Sequence, residues 1–307
     1  MKETEILFKK LQKSGINFTP YLEIGSEYAL RASLLESKFA ACGFATDISL
    51  YSLSKAAQFA RLYKFKKVPK TLCADAYNLP FKSNSFPFVF VYETLHHFPD
   101  PKPILIEAKR VLAPGGLLLV GADPIAQTFQ IRLWRRPNKL RVWEKILKSL
   151  LILPFISHIG KTEVDHGIIE EAFSLRVWQN ALSVFDSVEA KIKAFPFGPT
   201  ETIRKLKNES WSSISLKTRA VLHLLGGGLE AICQKANSPA QKTLFSNLDD
   251  LLICPNCLKR FKTENGLRKA IRGFNCPKCQ IFYQTHRGVL VLLEKKLEIA
   301  MISLPQK

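Results

Sequence analysis

Between residues 21 and 120, five short apolar runs alternate with segments whose apolar residues recur at helical spacing. The runs cover 21–24, 43–46, 71–74, 87–92 and 117–120, and helices are expected at 28–39, 52–63 and 103–112. Strands that are apolar on both faces must be covered on both faces, and a helix between consecutive strands makes them parallel. Right-handed crossovers then leave one main solution, an α/β fold with a doubly wound, mostly parallel, Rossmann-like sheet. An alternating sixth strand is expected at 188–195 and helices at 167–184 and 216–235, the last interrupted by Gly226-Gly227-Gly228; a seventh strand has no clear signal.

The residues that end these runs carry the first chemical information. Gly25 follows the first, Asp47 the second and Asp75 the third. Open α/β sheets bind ligands at the C-terminal ends of their strands. Glycine there lets a ligand approach the backbone closely. A carboxylate ending the second strand can accept both hydroxyls of a ribose, although Asp47 would serve equally as a helix N-cap.

The stretches Leu22-Glu23-Ile24-Gly25, Ala45-Thr46-Asp47-Ile48-Ser49, Ala74-Asp75-Ala76-Tyr77-Asn78-Leu79-Pro80-Phe81, Leu95-His96-His97-Phe98 and Arg110-Val111-Leu112-Ala113-Pro114-Gly115-Gly116 occur in this order. Together they resemble the class I S-adenosylmethionine-dependent methyltransferases of the small-molecule type, over roughly residues 18–124. The resemblance implies that Glu23, Gly25, Ser26 and Glu27 form the cofactor loop and that Asp47 with Ile48 holds the ribose. It implies that Asp75 with Ala76 flanks the adenine and that Tyr92 to Thr94 border the methyl group. His96 is the candidate base. Glu93 either orients the methionine end or caps a strand. Two positions depart from the family pattern: Glu27 stands where a glycine is usual, and Pro87 where an acid is common. After the fourth strand the chain reads Tyr92-Glu93-Thr94-Leu95, without the Asn/Asp-Pro-Pro-aromatic motif of enzymes that methylate planar exocyclic nitrogens. Oxygen or carbon acceptors are therefore expected.

Residues 125–165 are basic and tryptophan-containing, in the place where such folds insert helices that recognise the acceptor. Three readings stay open: a solvated face, a site for an anionic acceptor (glycan, lipid, nucleotide or RNA), and a peripheral membrane contact through 125–160. The formal net charge of +19 suits any of these partners.

Four of the seven cysteines form two C-x-x-C pairs, Cys254/Cys257 and Cys276/Cys279, separated by 18 residues. Two such knuckles close a tetrahedral four-cysteine zinc site, structural because the protein fills every position. The segment resembles the zinc-ribbon activator subunits of methyltransferases, here fused in cis. The expected organisation is a cofactor-binding domain at 1–240 with its basic insertion, and a zinc ribbon at 241–307. The N-terminus has no apolar signal-peptide core and no run is long enough to span a bilayer, so a cytoplasmic protein is expected, with the membrane-peripheral position left as one of the three readings above. The alternatives to an enzyme are a methyltransferase fold that serves only as a scaffold, and a nucleic-acid-binding protein whose affinity falls steeply with salt.

Overall fold

The computed structural model describes residues 1–127, 133–135, 140–150, 152–153, 157–159, 172–194, 198–237, 245–295 and 297. Its contacts divide into two compact units. The first comprises Met1–Val91, Ile106–Leu119 and Gln234–Lys307. The second comprises Tyr92–Leu105 and Val120–Cys233. The C-terminal cysteine segment thus belongs to the same unit as the first three strands.

In chain order the first part of the molecule runs α1 (Lys2–Lys13), β1 (Tyr21–Ile24), α2 (Leu30–Lys38), β2 (Gly43–Asp47), α3 (Leu50–Ser54), α4 (Ala56–Leu62), β3 (Lys70–Ala74), β4 (Phe86–Tyr92), α5 (Lys102–Val111) and β5 (Leu112–Ile125). The strand order β3-β2-β1-β4-β5 confirms the doubly wound sheet, with β1 parallel to both β2 and β4. The order reverses at β1, which is the topological switch point where ligands bind in such sheets. β1 is buried at all four positions and β4 at five of seven, as a sheet covered on both faces requires. An aromatic cluster packs α1 onto the sheet: Phe8 lies 5.6 Å from Phe90 and Phe18 lies 4.9 Å from Phe88, ring centre to ring centre. Each such pair contributes about 0.5–1.5 kcal/mol beyond its area burial.

The C-terminal segment contributes α9 (Pro255–Phe261), β11 (Arg268–Ala270), β12 (Gly273–Asn275), β13 (Phe282–His286) and β14 (Val289–Leu292). β14 pairs in parallel with β3, from Leu290↔Leu72 to Leu292↔Ala74. Val289, Val291 and Leu293 then fill one apolar cluster with Leu50, Leu53 and Cys73. This segment adds an edge to the first unit's sheet.

The second unit holds β6 (Leu133–Arg135), α6 (Val142–Ser149), β7 (Ser157–Ile159), α7 (Leu175–Leu182), β8 (Ser187–Ala194), β9 (Thr200–Leu206), α8 (Leu216–Leu225) and β10 (Gly227–Gln234). Its strand order is β5-β10-β8-β9, with β8 antiparallel to β9. Trp178 of α7 is fully buried and donates its indole N–H to the Pro124 carbonyl at 3.0 Å.

Two local expectations are corrected here. The helix expected over 216–235 stops at Leu225, and β10 supplies the strand that the sequence did not reveal. Gly226 ends the helix at φ 70, and a side chain there would strike the Ile125 carbonyl. From Leu229 onward buried and exposed residues alternate at the strand period. Pro114-Gly115-Gly116 lies near the start of a long β5, where Lys235 donates its amide to Gly116 and Gly115 donates to Ala236. The insertion expected to be helical over 125–165 contains a paired β6 and β7 besides α6; most of the rest of it, like residues 167–171 of the helix expected over 167–184, lies outside the described residues.

Candidate cofactor site and cysteine cluster

The loop after β1 is fixed by its neighbour strand. Ser26 donates its amide to the Thr46 carbonyl at 2.9 Å, and Glu27 donates its amide to Asp47 Oδ2 at 2.8 Å. Ser49 donates its amide to Asp47 Oδ1 at 2.8 Å. Both carboxylate oxygens of Asp47 are therefore held by backbone amides, which fix the carboxylate's position at the end of β2. The helix cap expected as an alternative role for Asp47 falls to Ser49, whose side chain accepts from the Ser52 amide at the start of α3.

Glu27 and Ala29 have left-handed backbones, φ 49 and 54. That geometry explains why glycine is usual in such a loop, and here two ordinary residues carry the strain. Glu23 lies beneath the loop, 1% exposed, with Oε2 accepting from the Ala32 amide in the first turn of α2 at 3.1 Å. Burial raises its carboxyl to about 8, with the Arg31 charge opposing part of the shift. Ser26 Oγ is buried and finds no hydrogen-bond partner among the described residues. Ile48, next to Asp47, leaves 41% of its surface exposed. Asp75 accepts from the Tyr77 amide at 2.9 Å, and Ala76 is half-buried. Glu23, Gly25, Ser26, Glu27, Asp47, Ile48, Asp75 and Ala76 thus fall at the C-terminal ends of three adjacent strands. An anchored carboxylate, an orphaned hydroxyl and an open apolar side chain there fit a nucleoside cofactor.

The loop after β3 is clamped from below. Arg110 donates to the Leu79 and Phe81 carbonyls at 2.8 and 2.7 Å and pairs with Glu107 at 2.7 Å. The motif residues Leu79 to Phe81 and Arg110 are therefore scaffolding for the Asp75 loop. The C-terminal segment adds to this clamp: Asn78 Nδ2 donates to the Pro255 carbonyl at 2.9 Å, and Arg110 also meets Glu264 at 3.0 Å.

In the second unit, Tyr92 packs its ring against Gly121, where any side chain would overlap it. Glu93 is left-handed at φ 51 and donates its amide to the Gly121 carbonyl at 2.8 Å. His96 donates its amide to Asp123 Oδ1 at 3.2 Å, and its Nδ1 lies 2.9 Å from the same oxygen. Asp123 is wholly buried; burial raises its carboxyl and the His96 contacts lower it, with a net rise. Asp123 Oδ2 and Gln127 Nε2 are buried without hydrogen-bond partners among the described residues. Buried orphans are rare in native structures and point to a polar group that the protein binds. Sequence reasoning missed Gly121, Asp123 and Gln127. The signal that was available at Asp123 is weaker than at Asp47 and Asp75: an acid separated from the apolar run 117–120 by Gly121 and Ala122.

The cysteine cluster forms as expected. Cys254, Cys257, Cys276 and Cys279 place all four Sγ atoms within 4.8 Å of one another, with Cys254–Cys279 at 3.5 Å and Cys257–Cys276 at 3.8 Å. A tetrahedron with Zn–S bonds of about 2.3 Å has edges of about 3.8 Å. Tyr283 Oη lies 3.1 Å from Cys254 Sγ, where it can support a ligating thiolate. Burial raises the Cys254 thiol to about 11, and four thiolates this close would need a cation among them to stay ionised.

Comparison with known proteins agrees with the geometry. Residues 22–120 match the family model described as a methyltransferase domain. The chain is similar to malonyl-[acyl-carrier protein] O-methyltransferase of Alcanivorax borkumensis, 38% identical over 95 residues that make up 31% of either chain. It is also similar to 27-O-demethylrifamycin SV methyltransferase of Amycolatopsis mediterranei, 48% identical over 48 residues, 16% of this chain and 18% of that protein. The chain therefore spans less than a third of the length of these two relatives. A solved structure of geranyl diphosphate C-methyltransferase from Streptomyces coelicolor aligns with 76% of this chain and 80% of its own at 11% identity and a TM-score of 0.46.

Proposed function

We propose that this chain, whose residues 22–120 match a methyltransferase domain, is an S-adenosylmethionine-dependent methyltransferase acting on an oxygen or carbon acceptor. The observation that carries this reading is Asp47, held by two backbone amides at the end of β2, the strand position where a carboxylate accepts ribose hydroxyls in dinucleotide folds. Gly25 and Ser26 bring the backbone close to the cofactor, and Ile48 and Asp75 with Ala76 border its base. When bound, S-adenosylmethionine supplies an electrophilic methyl group on a sulfonium. The protein's part is to hold the acceptor in line with the carbon–sulfur bond, a proximity effect.

The base is His96. With Asp123 ionised, Nδ1 carries the proton toward Oδ1 and Nε2 is the basic nitrogen. His96 would take the proton of an acceptor hydroxyl, and Asp123 would stabilise the resulting imidazolium. Asp123 is thus a positioning residue, and the roles of Tyr92 and Glu93 are to border the methyl group and orient the methionine end. The two relatives named as O-methyltransferase and as acting on a 27-O-demethyl compound support an oxygen acceptor.

The four cysteines hold a structural zinc ion. Its support is the spacing of the sulfurs, and metal analysis of the purified protein is expected to give one zinc per chain.

The acceptor class is tested by following S-adenosylhomocysteine release with panels of hydroxyl, carboxyl, activated-carbon and amine acceptors. Turnover with hydroxyl, carboxyl or carbon acceptors is expected, and turnover with amines alone would reject the assignment. Asp123→Asn is expected to lower kcat by about 100-fold, the scale of general-base assistance, and to flatten the pH profile of kcat. An unchanged pH profile would remove His96 from the base role.

A further inference from the structure

α6 is built inside out for a helix of a water-soluble unit. On a helical wheel Val142, Ile146, Leu150, Trp143 and Leu147 form one apolar stripe of about 140°, the face that such helices ordinarily bury. Here Val142 is 76% exposed, Leu150 60%, Ile146 55% and Trp143 39%. The helix's only acid, Glu144, is instead 4% exposed, and its carboxylate caps the helix by accepting from the Arg141 amide at 2.6 Å. The surface that α6 offers to solvent is therefore apolar side chains flanked by Arg141, Lys145 and Lys148, all exposed, with no carboxylate among them.

We propose that α6 is an interfacial anchor that seats this protein on a membrane surface rich in anionic lipid. The apolar stripe would enter the boundary between headgroups and acyl chains, with Trp143 at headgroup depth. The cations sit where long basic side chains reach the phosphates while their stems lie along the apolar zone. Burial of Glu144 removes the one charge that an anionic surface would repel. Among the described residues no helix is long and apolar enough to cross a membrane, so the contact is peripheral. A second copy of this chain would present the same three cations to α6, and a shared apolar seam would bring like charges together. The proposal stands independently of the methyltransferase reading.

The test is co-sedimentation of the full chain with vesicles of phosphatidylcholine alone and with about one third phosphatidylglycerol. Binding to the anionic vesicles, weaker at high salt and with a blue shift of tryptophan emission, is expected. Ile146→Glu with Leu150→Glu is expected to lower the partition by at least about ten-fold, as is Lys145→Glu with Lys148→Glu. The substituted side chains are exposed, so thermal melting should stay near that of the parent protein and confirms folding in each variant. Absence of binding at low salt, equal binding to neutral vesicles, or binding that survives both double variants would overturn the proposal. A dimer that the Ile146/Leu150 variant dissociates, with no vesicle binding by the parent, would also overturn it and assign the stripe to a second copy.

Discussion

At Glu27 the backbone holds a left-handed conformation that an L side chain adopts at a cost of about 1–2 kcal/mol. Its amide donates to Asp47, a contact that glycine would keep. Glu27→Gly is therefore expected to preserve cofactor affinity and to raise the melting temperature, since relief of about 1–2 kcal/mol exceeds the entropy that glycine adds to the unfolded chain. A large loss of affinity in isothermal titration would show that the carboxylate itself contacts the cofactor. Glu23 yields a pH signature. Its folded carboxyl titrates near 8, above the ordinary value of 4.5, chiefly because it is buried. Between those values the folded state holds a proton that the unfolded state has lost, so this group's contribution is full below about 4.5 and declines as pH rises toward 8. Glu23→Gln keeps an acceptor for the Ala32 amide and is expected to flatten the fall of denaturant-derived stability from pH 5 to 8. The same slope in the variant would assign it to another group.

At the level of elements, what could be read in the sequence was what local patterning encodes. Gly25, Asp47 and Asp75 were legible because each directly ends an apolar run at strand length. Asp123 was hidden because Gly121 interrupts the fifth run and the strand continues past it. β10 was hidden because three glycines between two apolar stretches read as a broken helix; the close approach of Gly227 to the Lys193 carbonyl, a tertiary fact, decides for a strand. β14 was visible as an apolar run, but its parallel pairing with β3 joins residues more than two hundred positions apart and leaves no local trace. That pairing gives the cysteine cluster its consequence. The knuckle at Cys254 to Cys257 holds Pro255, which accepts from Asn78 in the loop that follows Asp75. Zinc removal by a chelator is expected to lower the stability of the first unit by about 4 kcal/mol relative to protein with free zinc at a thousand times its Kd. A melting temperature indifferent to chelator and to Cys276→Ser would deny the cluster a structural metal.

For the whole molecule, the account joins three features: a nucleoside-type site at the ends of β1, β2 and β3, a His96–Asp123 pair suited to proton removal, and a sulfur cluster bound into the sheet. A scaffold that has lost its chemistry through the altered Glu27 loop would bind no cofactor. The deciding measurement is calorimetric titration of the zinc-loaded protein with S-adenosylmethionine, beside Asp47→Ala. Loss of two charge-assisted contacts to a ribose is expected to weaken Kd by about 100-fold in the variant, with far-ultraviolet circular dichroism unchanged. Saturable binding by the parent chain with that loss is the result this account predicts. No heat of binding in a folded, metal-loaded parent chain, or affinity untouched by Asp47→Ala, would contradict it.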